Sequence, residues 1–187
     1  MTGFPIAEWS SARLILRQVE ERDAGEVHAV WQDERFVRWA PVGYPHAHGD
    51  LAAATEWCTS GAEKRRADRR TVEFALQPRG GERMAGLVGL FGTDWDNGVA
   101  EMHYWTALWA RGRGYAAEAA RAVGEWALRD AGLERIALVA AAGNAASRHV
   151  AEAAGFRLEG MLRSAAAVRG GGRTDHAVYG LVRADLA

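Results

Sequence analysis

The stretch ARGRGYAAEAA at residues 110–120 joins two different periodicities. Ahead of it, residues 71–107 read as short β runs separated by turn residues; behind it, Ala116, Ala119, Ala120, Val123, Trp126 and Ala127 recur at helical spacing. The junction holds Arg111, Gly112, Arg113 and Gly114. A chain that leaves a strand through two glycines and two arginines, and enters an alanine-rich helix at once, gathers free backbone N–H groups, a helix dipole and cationic side chains at one point. That combination suits a bound anion. It also constrains the fold. Strand 99–107 is followed by a helix over 116–131, ended by Gly132, and then by the buried strand RIALVAA at 135–141.

The remaining segments arrange themselves around this unit. Residues 12–18 form a strand with Leu14 and Leu16 on one face, and Asp23 is placed to cap a helix carrying Val27, Val30 and Trp31. A loop rich in Pro, Gly and His (41–50) leads to Asp50, which caps a second helix bearing Ala54, Trp57 and Cys58; EKRRADRR (63–70) reads as its solvated end and a loop. TVEFALQ (71–77) and RMAGLVGLFG (83–92) form a hairpin, and TDWDNG (93–98) turns into the third strand. A helix over 145–154, ended by Gly155, precedes two strands, 156–165 and 174–186, on either side of VRGGGR. No repeat or linker interrupts the chain, so residues 1–187 read as a single α+β domain, a mixed central sheet flanked by helices.

Composition limits the function classes. With 49% hydrophobic and 25% charged residues the chain should be globular, and a net charge of −1 offers no basic field for nucleic acid, so any anion site must be local. One cysteine, Cys58, excludes an internal disulfide and a cysteine-based zinc cluster. His46 and His48, with only Asp50 nearby, do not make a metal site, and no metal is expected. The N-terminus lacks a signal-peptide pattern and no run is long enough to span a membrane, so a cytoplasmic protein is expected.

Several readings of residues 111–117 compete. A P-loop needs Lys-Ser/Thr after its glycine, whereas Tyr115 follows Gly114. The dinucleotide fingerprint is met literally by Gly112, Gly114 and Ala117, with Glu134 about 20 residues on, but it should open a doubly wound domain rather than fall late in the chain after a hairpin. An ordinary glycine turn with solvated arginines would also account for the segment taken alone. A second segment shifts the balance. NAASRHVAEAAGF (144–156) sets Asn144 at the end of a buried strand and Ser147 in the first turn of the next helix.

Together the two segments resemble the GCN5-related N-acetyltransferase (GNAT) superfamily, whose acetyl-CoA signature Q/R-x-x-G-x-G/A is satisfied by Arg111, Gly114 and Ala116. The likeness extends over residues 11–27, 39–41, 100–116 and 144–163, and is to the ribosomal-protein alanine N-acetyltransferase (RimJ/RimL-like) branch. It implies the GNAT acyl-CoA N-acyltransferase fold, acetyl-CoA as acetyl donor, and an amine acceptor such as a peptide N-terminus or a small amino compound. It implies that Arg111, Gly112, Arg113, Gly114, Tyr115 and Ala116 cradle the pyrophosphate, that Trp105, Thr106 and Ala107 run beside the pantetheine arm, and that Asn144 hydrogen-bonds that arm. It also implies a monomer or a homodimer.

Acetyl transfer needs the amine deprotonated, the developing oxyanion stabilised and the thiolate released. Thr106 or Ala107 is the candidate backbone donor to the oxyanion. Ser147 is the implied partner of the leaving thiolate, either as its proton donor or only as a hydrogen bond. Glu101 is the candidate base, sharing a strand face with His103 and Trp105, while Met102, Tyr104 and Thr106 face the other way. The branch pattern A-E-I-G-Y-W becomes A-E-M-H-Y-W here, so His103 is a second candidate for the base. Trp39, Glu101 and His103 are the expected acceptor-side residues. A non-catalytic acyl-CoA-binding domain remains the alternative, although such a domain would need neither Glu101 nor Ser147.

Overall fold

The computed structural model describes residues 4, 8–42, 46 and 48–186. Eight strands form one sheet in the order β1-β2-β3-β4-β5-β6-β8-β7. They are β1 Trp9–Ser10, β2 Leu14–Arg17, β3 Val72–Pro78, β4 Gly86–Asp94, β5 Val99–Thr106, β6 Arg135–Ala141, β7 Arg157–Ala167 and β8 Arg173–Val182. All neighbours are antiparallel except β5 and β6, which are parallel. A parallel pair needs a crossover, and α5 (Tyr115–Arg129) supplies it.

The sheet is covered on both faces. Ala119, Ala120, Val123, Ala127 and Leu128 of α5 pack with Phe74, Leu76, Val88, Leu90, Met102 and Ile136 on one face. On the other, Val27 and Trp31 of α1 (Ala24–Trp31) and Ala54 of α3 (Leu51–Glu56) pack on Ala75 and Leu87. β4 and β5 therefore bury alternate residues on opposite faces, and Glu101, His103 and Trp105 share the α1–α3 side.

Several boundaries differ from the sequence reading. A short helix α2 (Glu34–Trp39), capped by Asp33 accepting from Phe36 N, was not foreseen. The solvated segment after residue 61 is mostly helical: α3 continues through a π-helical turn, Trp57–Gly61, into α4 (Ala62–Ala67). Asp23 makes no side-chain cap to α1; its carboxylate faces Arg17 (2.7 and 2.8 Å) in a buried ion pair, so its place is set by tertiary charge pairing. The last strand stops at Val182, where Asp185 Oδ2 accepts the Val182 N–H and turns the chain into a 3₁₀ turn. The loop expected at 41–50 lies partly outside the described residues.

Candidate functional site

The parallel pair holds only at its start. Val99↔Arg135, Ala100↔Ile136 and Glu101↔Ala137 are in register; beyond Glu101, β5 stays with β4 as far as Thr106, while β6 stays with β8 as far as Ala141. The two central strands thus splay apart in the middle of the sheet. Ala107 N donates to Ala85 O at 2.8 Å, so by strand alternation the N–H groups of Thr106, Tyr104 and Met102 point to the opposite edge, into the opening.

Two helix N-termini border this opening. α5 begins at Gly114, whose φ of +75° is the left-handed conformation that glycine adopts without strain, and Gly112 has φ +74°. No side chain caps α5, and its first backbone bond runs from Glu118 N to Gly114 O (3.1 Å), so the amides of residues 115–117 have no intrahelical acceptor. A Cβ at Gly112 would meet nothing within 4 Å, so its backbone is open to a ligand. α6 (Ala145–Ala153) is capped by Asn144, whose Oδ1 accepts from Ser147 N at 3.2 Å.

Tyr104 crosses the opening. Its hydroxyl donates to Ser147 O (2.9 Å) and lies 2.8 Å from Ser147 Oγ. Burial pushes the phenol up to about 12, against the opposing hydrogen bond to Ser147, so the group stays protonated at neutral pH. Glu101 sits at the root of the splay, half-buried, and no hydrogen bond to it is found among the described residues; burial raises its carboxyl above the usual range. His103 is turned away from the opening. Its imidazole lies over Gly89, where a Cβ would come within 2.6 Å of Nε2, and reaches toward Glu73 Oε1 at 3.4 Å without forming a hydrogen bond. Burial lowers its pKa, with Glu73 opposing and Arg65 adding to the shift.

Residues 13–157 match the family described as the acetyltransferase (GNAT) domain. The chain belongs to the GNAT acetyltransferase family. It is an acyltransferase that depends on acetyl-CoA. Among similar proteins, the Bacillus subtilis (strain 168) protein named "Putative ribosomal N-acetyltransferase YdaF" is 28% identical over 162 residues, 84% of this chain and 85% of that one. Mycobacterium smegmatis RimJ, solved in complex with CoA-disulfide, matches with a TM-score of 0.80 at 25% identity, over 92% of this chain and 83% of that chain. A crystal structure titled "Probable acetyltransferase" matches with a TM-score of 0.78 at 26% identity, over 97% and 99% of the two chains. These relatives support the RimJ/RimL-like branch of the GNAT family.

Within this GNAT fold, several of the residues singled out in the sequence lie at one end of the sheet, while Glu101 sits at the root of the splay and His103 leans to β4. Gly112, Gly114, Tyr115 and Ala116 form the turn and first helical residues of α5; Trp105 and Thr106 end β5; Asn144 and Ser147 open α6. Trp39, at the end of α2, is brought to the turn before α6, since a Cβ at Gly143 would lie 3.2 Å from its ring. Two expectations need correction. Ala107 is fully buried and its N–H is already given to Ala85, so it has no amide for an oxyanion. Arg111 turns its guanidinium to Asp33 (3.1 Å to each oxygen), away from a role as free phosphate counter-charge; Arg113 remains exposed, 5.7 Å from the Trp109 ring. Asn144 Oδ1 accepts the α6 cap bond, and its amide NH₂ stays able to reach a ligand.

Sequence reasoning missed Tyr104 and Arg13. The first lies on the strand face opposite Glu101, and its role depends on the splay. Arg13 Nη1 donates to Arg113 O at 2.9 Å, across 100 residues of chain, so no local pattern marks it. Among the described residues no group of three or more His, Cys, Asp or Glu is placed to hold a metal ion, and no helix is long and apolar enough to cross a membrane.

Proposed function

We propose that this GNAT enzyme transfers acetyl from acetyl-CoA to an α-amino group of a protein, peptide or small amino compound, by direct attack of the amine on the thioester. The observation that carries this reading is the Tyr104–Ser147 pair spanning the splay, a polar contact set where a thioester lying between β5 and β6 would react. Bound acetyl-CoA supplies an activated acyl group and a thiol leaving group. The open backbone of residues 112–116 fits its pyrophosphate, because uncapped helix amides and a positive-φ turn leave donors facing outward. The amide NH₂ of Asn144 fits the polar pantetheine arm.

Each step then has a residue in this chain. Glu101, with a raised pKa and no hydrogen bond among the described residues, takes the proton of the ammonium, directly or through water. The Thr106 N–H stabilises the charge developing on the carbonyl oxygen. Ser147 donates to the departing sulfur. A serine alone is a weak acid, but Tyr104, 2.8 Å away and still protonated, can turn its O–H to Ser147 Oγ as that proton leaves. Cys58 takes no part as an acyl carrier: it is 2% exposed, and burial pushes its thiol up to about 12.

The acceptor class is supported by the relative named for ribosomal N-acetylation and by proton energetics. An α-amine of pKa about 8 is roughly one-tenth neutral at pH 7, whereas a lysine of about 10.4 is neutral in only ~0.04% of molecules. A single carboxylate base suits the former. Asp94 accepts from Asp96 N, Asn97 N and Asn97 Nδ2, which makes it the cap of the hairpin turn. The single cysteine and the ribosomal name of the relative support a cytoplasmic setting. The test is release of CoA thiol with two matched peptides, one with a free N-terminus and blocked lysine, the other the reverse. Faster turnover of the free N-terminus is expected; faster turnover of the lysine peptide would overturn the assignment.

A further inference from the structure

We infer that Arg13, 100 residues before the Arg113 carbonyl it binds, is a positioning residue for coenzyme A: it holds the turn before α5 in its binding shape and screens the Glu118 carboxylate beside it. This rests on the donor reading given above.

Arg13 directly precedes β2 and makes bonds to both sides of the turn. Its Nη1 donates to Arg113 O (2.9 Å), the carbonyl between the two positive-φ glycines. Its Nε donates to Glu118 Oε2 (2.6 Å) and its backbone N–H to Glu118 Oε1 (2.8 Å), in the first turn of α5. The guanidinium carbon lies 5.2 Å from the Tyr115 ring centroid, and Nη2 would be 3.4 Å from a Cβ at Gly114. The strand side is itself pinned: Ser11 Oγ donates to Glu118 Oε1 (2.6 Å), and Arg79 donates to Ser11 O (3.0 and 3.2 Å) and through its backbone to Arg13 O (2.9 Å). Residues 112–114 have wide backbone freedom of their own, because two of the three are glycine.

The electrostatics give Arg13 a second task. A carboxylate in the first turn of a helix is stabilised by the dipole, and it competes for the same amides and field as a bound phosphate. Burial alone would raise the Glu118 carboxyl, but the hydrogen bonds from Ser11 and Arg13 outweigh that and hold it below the usual range, so it is ionised at neutral pH. Without Arg13, a pyrophosphate at α5 would face that negative charge unscreened. Arg111, paired with Asp33, is not available to take over.

The test is titration calorimetry of CoA into wild type, Arg13→Ala, Glu118→Gln and the double variant, with circular dichroism checking the fold of each. Arg13→Ala should weaken CoA binding about 10-fold or more, since it loses a charge-assisted clamp and exposes a like charge. The double variant should bind several-fold more tightly than Arg13→Ala, because the exposed charge is gone. A purely structural role for Arg13 predicts no such recovery, as removing Glu118 would loosen the turn further. A folded Arg13→Ala with wild-type affinity, or a double variant no better than Arg13→Ala, would overturn the inference while leaving the donor reading standing. Wild type that fails to bind CoA would overturn both.

Discussion

At the scale of single residues, the site depends on where a few protons sit. Glu101 is a carboxyl whose pKa burial raises, so the folded state favours its protonated form. That preference stabilises the protein below the unfolded value for glutamate, about 4.3, and is lost as pH rises through the higher folded value. Glu101→Gln should therefore melt higher than wild type at neutral pH, with the gap closing in acid. As a base, Glu101 must be ionised, so wild-type kcat/KM should fall on the acid side at a pH above the ordinary carboxylate range. That limb should vanish in Glu101→Gln, which should turn over slowly and recover partly as alkali neutralises the amine. An unchanged pH profile would remove Glu101 from the mechanism and bring forward His103, although that imidazole lies over β4 toward Glu73. The leaving-group side is tested separately. Ser147→Ala should lower kcat by on the order of 10²-fold with little change in affinity for CoA, and Tyr104→Phe by on the order of 10-fold, since it keeps the serine but removes the hydroxyl that supports it. A Tyr104→Phe rate equal to wild type would show that Ser147 acts alone. A Ser147→Ala effect confined to affinity would make the serine a binding residue.

At the scale of elements, what could be read in advance follows from how local each signal is. α5, β6 and α6 were legible because their periods are clean and their ends are marked by Gly114, Gly132, Asn144 and Gly155. The β3–β4 hairpin and β5 were legible from alternation. The short helix α2 was not: its six residues include Phe, Val and Trp, weak helix formers, and only the Asp33 cap betrays it. Asp23 carries the cap signature but is claimed by Arg17 from β2, a competition that a sequence window does not contain. The largest omission is the splay of β5 from β6. Alternation correctly separated Glu101 from Tyr104, yet which of the two faces reaches α6 depends on where the ladder between the strands ends, at Glu101↔Ala137. Alternation therefore gives Tyr104 a face but no partner, and Ser147 is marked only by the family motif. The phosphate turn shows the same division. Its glycines were evident, but the side chain that fixes it comes from Arg13, and the arginine nearest in sequence, Arg111, is drawn off to Asp33.

At the scale of the whole molecule, the proposed donor site draws on the chain from Arg13 through Thr106, Gly112–Ala116 and Asn144 to Ser147, so coenzyme A would tie together parts that the sheet leaves separated. β5 and β6 do not pair beyond Glu101, where the Tyr104–Ser147 contact links β5 to α6. A ligand bound only to the folded state stabilises it by mass action, by about 2.7 kcal/mol at roughly 100 times its Kd. For a domain of this size each kcal/mol moves the melting temperature by about 2–4 °C, so saturating CoA should raise it by about 5–11 °C. Gly114→Val supplies the internal control. At φ +75° a β-branched side chain is strained, and the variant should melt somewhat lower than wild type without ligand. Its more telling property is the shift: with the turn distorted and a side chain where phosphate would meet backbone, CoA should no longer raise its melting temperature. Differential scanning calorimetry of both proteins across a CoA series separates the two effects, because the strain lowers the starting temperature and the lost site abolishes the dependence on ligand. A full CoA-dependent rise in Gly114→Val would mean that the turn before α5 does not hold the pyrophosphate.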